Sequence, residues 1–214
     1  MFLIFDTETT GVPDFKKPAD DPSQPRLCSV AACLVNGDGE IVDEFYSLVN
    51  PKGWSEETIA RAADAFAING LTMERLRDEG DSIDAILGRL HWLQERSEGV
   101  ATYGITFDTK MVRSERRRLG LEDHYGSRPT FCVQRAAVNL CKIPPTEKMM
   151  ASGRKWFKTP NLTEAVSILL GETLEGAHDA LADTKATVKL FNYMRQRGHV
   201  EWKHYEKAEA SHEQ

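Results

Sequence analysis

Asp6 and Glu8 close the apolar run Phe2-Leu3-Ile4-Phe5, one residue apart, in the stretch Asp6-Thr7-Glu8-Thr9-Thr10-Gly11. In an extended chain, positions i and i+2 face the same way, so both carboxylates can converge on one cation. Close carboxylates repel one another unless a cation or a proton sits between them. Taken alone, the pair is also what a strand carries where it leaves a core for a polar turn. Two later segments change that balance. Val100 to Phe107 reads as a second short apolar strand leading into Asp108, with a helical pattern following from Thr109. Gly176-Ala177-His178-Asp179 then places a histidine five residues before Asp183, at the start of a long helical run. Carboxylates offer oxygen ligands only, a set that suits Mg²⁺ or Mn²⁺ better than zinc. Histidine titrates near neutrality, so His178 can take a proton from water at working pH.

These three segments resemble the motifs of the DnaQ-like, or DEDDh, 3′→5′ exonuclease family: Asp-x-Glu, a Phe-Asp segment and His-x4-Asp. Val49-Asn50-Pro51 and Ala67-Ile68-Asn69-Gly70-Leu71-Thr72 resemble that family's Asn-Pro and His-Gly-Ile-Thr stretches, with Asn69 where histidine is usual. The likeness runs from about Phe2 to Phe191. Tyr103 and Gly104 depart from the His-Asn or Ala-Asn that often precedes the Phe-Asp pair, which removes an asparagine able to position Asp108 or substrate but no metal ligand.

The resemblance implies a ribonuclease H-like α/β fold, a mixed five-stranded sheet flanked by helices, with Asp6, Glu8, Asp108, His178 and Asp183 as the catalytic set. It further implies two Mg²⁺ or Mn²⁺ ions held by Asp6, Glu8, Asp108 and Asp183. Asp6 would bridge them, Glu8 and Asp183 would complete the nucleophile side, and Asp108 would hold the other ion. Two such ions about 4 Å apart lower the pKa of the attacking water and neutralise the departing 3′ oxygen of a phosphodiester. His178 would be the general base and Asp179 a capping or supporting carboxylate, while Thr7, Thr9 and Thr10 follow or separate the ligands where the family seats a terminal nucleotide. The expected activity is release of 5′-mononucleotides from single-stranded or frayed DNA ends. A same-fold alternative is an exoribonuclease acting on short RNA or RNA ends. From another class comes a non-catalytic nucleic-acid-binding or polymerase-accessory module, against which the intact five-residue set argues. Association with a DNA polymerase and a free-standing repair or phage-type nuclease both stay open.

The formal charge of −6 disfavours a general polyanion binder, but its distribution is uneven. Lys110, Arg113, Arg116, Arg117 and Arg118 outnumber Glu115 for a local +4, and Lys142, Lys148, Arg154, Lys155 and Lys158 outnumber Glu147 for another, leaving −14 on the remainder. Such polarity fits a cationic strand path beside an anionic metal site. The run at Arg116 to Arg118 is equally what a solvated helix face carries. In the second run, Lys155, Trp156 and Lys158 set an aromatic among cations and are expected to contact substrate. The four cysteines form no Cys-x2-Cys pair, so structural zinc is not expected and buried thiols at Cys28 and Cys33 are. No segment is apolar over a bilayer's width and the N-terminus starts directly with a core strand, which gives the expectation of a reduced, cytoplasmic protein without a membrane.

The elements that must position these residues follow from periodicity. Arg26 to Asn36 and Glu40 to Val49 are β-rich runs joined by Gly37-Asp38-Gly39, a hairpin turn. Four prolines between Thr10 and Arg26 predict a long loop beside Glu8. Ser55 caps a helix carrying Ile59, Ala62, Ala63 and Phe66; Ile83 to Leu93 gives a second apolar stripe; Thr130 to Val133 a last strand; Arg135 to Cys141 a helix stopped by Pro144-Pro145. Asn161 caps a helix that Gly171 ends, and Ala180 to Arg197 is the final core helix. One exonuclease domain over 1–198 and a charged tail over 199–214 are expected.

Overall fold

The computed structural model describes residues 1–122 and 127–204. Its centre is a five-stranded mixed sheet of β1 (Phe2–Thr9), β2 (Leu27–Val35), β3 (Ile41–Leu48), β4 (Gly99–Thr102) and β5 (Thr130–Cys132), in the order β3-β2-β1-β4-β5. β1 pairs antiparallel with β2 and parallel with β4; β2 and β3 form the expected antiparallel hairpin. Every residue of β2, Leu-Cys-Ser-Val-Ala-Ala-Cys-Leu-Val, is buried. That unbroken apolar run is what a strand covered on both faces needs.

Helices cover the two faces. α1 (Glu56–Asn69), α2 (Met73–Glu79), α3 (Ile83–Glu95) and α4 (Ile105–Arg118) precede β5 in the chain. Leu76, Leu87, Leu90, Leu93, Met111 and Val112 from these helices join Leu3, Phe5, Val30 and Leu34 in one apolar layer. α5 (Val133–Cys141), α6 (Glu147–Ala151), α7 (Leu162–Leu170) and α8 (Ala180–Gln196) follow. Ala137, Val166, Val188, Leu190 and Phe191 pack with Ile4, Cys33 and Val35 in the second layer. Neighbouring residues of β1 thus feed opposite layers, as the two-residue period of a strand requires.

Local capping matches the sequence signals. Ser55 accepts a hydrogen bond from Thr58 N–H at the start of α1, and Asn161 with Glu164 forms a complete capping box on α7, which ends at Gly171 in the left-handed region. The two short helices α2 and α6 carry the same signal, Thr72 and Thr146 at their N-caps, but too few apolar positions to declare a period. Cys28 and Cys33 are buried free thiols. No helix among the described residues is long and apolar enough to cross a membrane.

Two expectations are corrected. The strand at Val100 stops at Thr102 and α4 begins at Ile105, so Asp108 stands in the first turn of a helix rather than at the end of a strand. The β-branched residues Val100, Thr102, Ile105 and Thr106 read as one extended run, yet Ile105, Asp108, Met111, Val112 and Glu115 are buried at helical spacing. The basic run on α4 is not an open cationic path. Glu115, 1% exposed, accepts Arg26 Nε at 2.7 Å and Arg118 Nη1 at 2.9 Å, while Arg118 also donates to the carbonyls of Gln24 and Pro25 and Arg116 to that of Glu122. These cations hold the loop over 10–26 against α4. Beyond Gly198, Trp202 stacks on Phe2 and contacts Phe131 and Phe191, and Lys203 pairs with Thr130 across the edge of β5. The tail over 205–214 lies outside the described residues.

Candidate active site

β1 delivers Asp6 and Glu8 at the end of the sheet, opposite Ala31 and Ser29 of β2, with Thr7 and Thr9 buried between and after them. Past Glu8 the register slips, so that Thr9 faces Leu27 and Cys28 is the extra residue of a bulge. The Leu27 N–H at this bulge donates to Glu115 Oε1 at 3.2 Å, and Thr10 and Arg26 are tied by Thr10 N–H to Arg26 O and Arg26 N–H to Thr10 Oγ1, each at 2.9 Å. The bulge thus turns the chain away directly after the second carboxylate and is held there.

Asp108 comes from the first turn of α4 and is buried, with Thr7 Oγ1 donating to its Oδ1 at 2.8 Å. Asp183 comes from the first turn of α8. Asp179 is the N-cap of that helix and accepts from Leu181 and Ala182 N–H, as expected of a capping carboxylate. Thr184, next to Asp183, donates to the Ala31 carbonyl at 3.3 Å, on the residue of β2 that faces Asp6. His178 lies just before the helix in the left-handed region, φ 70°, and its N–H donates to Asp183 Oδ2 at 3.1 Å. Side-chain ligand atoms of Glu8, His178 and Asp183 all lie within 4.8 Å of one another.

The electrostatics show how close the acids are. Burial, and then the charges of Asp108, Asp183 and Glu8, raise the Asp6 carboxyl well above its usual range. Burial pushes Glu8 up to about 7, against a long 3.5 Å hydrogen bond from Asn69 Nδ2 that favours its charged form. Burial likewise raises Asp108 to about 6 despite the hydrogen bond from Thr7. Asp183 is raised by burial, with the His178 N–H pulling the other way. Its second oxygen, Oδ1, is buried with no hydrogen-bond partner. Four carboxyls raised by burial, two of them (Asp6 and Glu8) also by the charges of the others, and one with an orphaned buried oxygen, fit a divalent cation as the missing counter-charge.

The other expected contacts divide. The hydroxyls of Thr7, Thr9 and Thr10 are turned to protein partners: Asp108, the Gly11 carbonyl and the Arg26 N–H. Trp156 is 63% exposed and Lys155 is exposed, whereas Lys158 is engaged by Glu164 of the α7 capping box at 2.6 Å. Tyr103, which departs from the family pattern, is a buried anchor: its hydroxyl donates to the Pro160 carbonyl at 2.8 Å and so fixes the segment leading to α7 onto the end of β4. Sequence reasoning missed the buried Glu115 because it sits in a run dominated by cations.

Fold and site together define a nuclease with a carboxylate-rich centre. The model of the RNase_T exonuclease family matches residues 3–191, and the chain belongs to that family. A PolC-type DNA polymerase III of Thermotoga petrophila is 31% identical over 112 residues, 52% of this chain and 7% of the polymerase. Among solved structures, E. coli exonuclease I in complex with a dT13 oligonucleotide superposes with a TM-score of 0.69 at 19% identity, covering 92% of this chain and 41% of that one. The nuclease domain of 3′hExo, a DEDDh family member bound to rAMP, gives 0.64 at 18% identity and covers 94% of both chains. The chain therefore spans well under half the length of the polymerase and of exonuclease I.

Proposed function

We propose that this protein is a Mg²⁺- or Mn²⁺-dependent 3′→5′ exonuclease that releases 5′-mononucleotides from single-stranded or frayed DNA ends. The observation that carries this reading is the cluster of Glu8, His178 and Asp183, with ligand atoms within 4.8 Å of one another, together with the charges of Asp108 and Asp183 acting on both Asp6 and Glu8. Asp6, Glu8, Asp108 and Asp183 would hold two ions, which supply charge neutralisation at the phosphate and acidify the attacking water. His178 stands at the open edge of the site, where an imidazole can accept the proton of that water as the new P–O bond forms and the bond to the 3′ oxygen breaks. Thr7 fixes the Asp108 carboxylate, and the bulge after Glu8 sets where the following loop leaves the sheet.

Likeness to exonuclease I bound to an oligodeoxynucleotide supports DNA as substrate, and the polymerase relative supports work beside a DNA polymerase in the cytoplasm. The match over 94% of the nuclease domain of 3′hExo bound to rAMP supports RNA ends as the second reading. Digestion of matched 5′-labelled single-stranded DNA, duplex DNA and RNA, with Mg²⁺, Mn²⁺ or chelator, tests both. A ladder shortening from the 3′ end is expected, fastest on single-stranded DNA and absent in chelator. Release of the labelled 5′ nucleotide first would refute the polarity. His178→Asn, which tolerates the left-handed backbone at this position, is expected to slow single turnover by roughly 10²- to 10⁴-fold.

A further inference from the structure

A cleft of about 380 Å³ opens beside the first turn of α4, walled by Phe15 from the loop over 10–26, Thr106 and Phe107 from α4, Gln134 and Arg135 from α5, and Thr159 ahead of α7. Its volume lies in the usual range of ligand sites, roughly 300–1,000 Å³. Thr106 and Phe107 immediately precede Asp108, so the cleft adjoins the carboxylate centre.

Its chemistry is that of a nucleotide seat. Phe15 is 53% exposed, yet it is held in place. The adjacent Asp14 is bracketed by Gln24, which accepts from Asp14 N–H at 3.0 Å and donates to Asp14 O at 2.8 Å, and Lys110 of α4 donates to Lys17 O at 2.5 Å. An exposed aromatic ring on a backbone held at both sides is placed for stacking. Arg135 is exposed and makes no ion pair among the described residues, and no carboxylate lines the cleft. Beyond Thr159 the chain carries the exposed Lys155, Trp156 and Phe157, continuing the same basic and aromatic character outward. A larger cleft of about 620 Å³ between Thr10, Gly11 and α1 differs in charge: Asp21 and Glu57 line it, and its Arg61 is paired to Glu57. A polyanion is therefore drawn to the smaller cleft.

We infer that the cleft between Phe15 and Arg135 seats one nucleotide of the substrate strand upstream of the nucleotide being removed, its base on Phe15 and its phosphate on Arg135. This rests on the exonuclease reading above and adds where the strand runs. The test compares wild type, Phe15→Ala and Arg135→Ala on a single-stranded 12-mer, on 12-mers with one abasic site moved along the upstream positions, and on the p-nitrophenyl ester of thymidine 5′-monophosphate; the oligomer length of about 12 spans a typical single-strand site. The ratio of kcat/KM on the 12-mer to that on the ester should fall roughly 5- to 100-fold in Phe15→Ala, the usual effect of losing one base stack. One abasic position should reproduce that fall in wild type and add nothing further in Phe15→Ala, because both remove the same contact. Arg135→Ala should lower the salt dependence of binding by about one phosphate contact. An unchanged ratio in both variants, or abasic and Phe15→Ala effects that add at every position, would overturn the subsite. Failure of wild type to act on either substrate with Mg²⁺ or Mn²⁺ would instead overturn the exonuclease reading itself.

Discussion

The acids at the end of β1 work against folding until something compensates their charge. A carboxyl whose folded pKa lies above its unfolded value of about 4 costs nothing at low pH, where both states are protonated. As pH rises, the unfolded chain releases its proton first and stability falls, until the folded group has also ionised. With Glu8 at about 7 and Asp108 at about 6, and with Asp6 and Asp183 raised in the same direction, the decline runs from about pH 4 to 7. In chelator, the melting temperature of wild type should therefore drop between pH 4 and 7 more than that of Asp6→Asn. Mg²⁺ should restore wild type and leave the variant nearly where it was. Equal pH slopes for the two proteins would show that Asp6 is not under strain from its neighbours. The residues of this centre were expected from sequence because Asp-x-Glu, Phe-Asp and His-x4-Asp together resemble the motifs of one family; spacing alone puts Asp6 and Glu8 on one face of a strand and leaves the choice between Asp179 and Asp183 open. Asn69 at Glu8 and the Tyr103 anchor were visible only as departures from a pattern, since what each touches is set by the fold.

At the scale of elements, α4 is the part that sequence described least well. Its first turn was read as strand because β-branched residues lead into it, and its last turns as a basic face because Glu115 is outnumbered. In the folded protein that one glutamate joins Arg26, Arg118 and the Leu27 N–H, and so couples α4 to the bulge behind Glu8. Removing one partner of a buried ionic network typically costs about 3–5 kcal/mol. For a domain of this length each kcal/mol shifts the melting temperature by roughly 2–4 °C. Glu115→Gln should thus melt well below wild type and expose the loop over 10–26 to limited proteolysis before the rest of the chain. A melting temperature within a degree of wild type would mean that the network is dispensable. By contrast the hairpin, α1, α7 and α8 were legible because turn glycines, caps and apolar stripes agree with one another there.

Across the whole molecule, the segment past Gly198 closes the sheet at its β5 edge. Trp202 fits there because Gly99 has no side chain: a Cβ at Gly99 would stand 2.5 Å from the indole ring. Gly99→Ala and Trp202→Ala should each destabilise the protein. Their combination should cost less than the sum, because the three atoms nearest the added methyl all belong to the indole. Additive losses in thermal or denaturant melts would separate the two positions. The aromatic seat for Trp202 joins residues distant in sequence, Phe2, Phe131 and Phe191, and no local pattern in the tail announces it. The two apolar layers on either side of the sheet carry a last consequence. Asp108 is borne by a helix of one layer and Asp183 by a helix of the other, and the charges of both act on Asp6 of β1 between the layers. On the proposed reading, catalysis is therefore a gauge of alignment between the layers, more demanding than the cohesion of either. In a graded urea titration, turnover should vanish at a lower concentration than the helical circular-dichroism signal, leaving a window in which the protein is folded and silent.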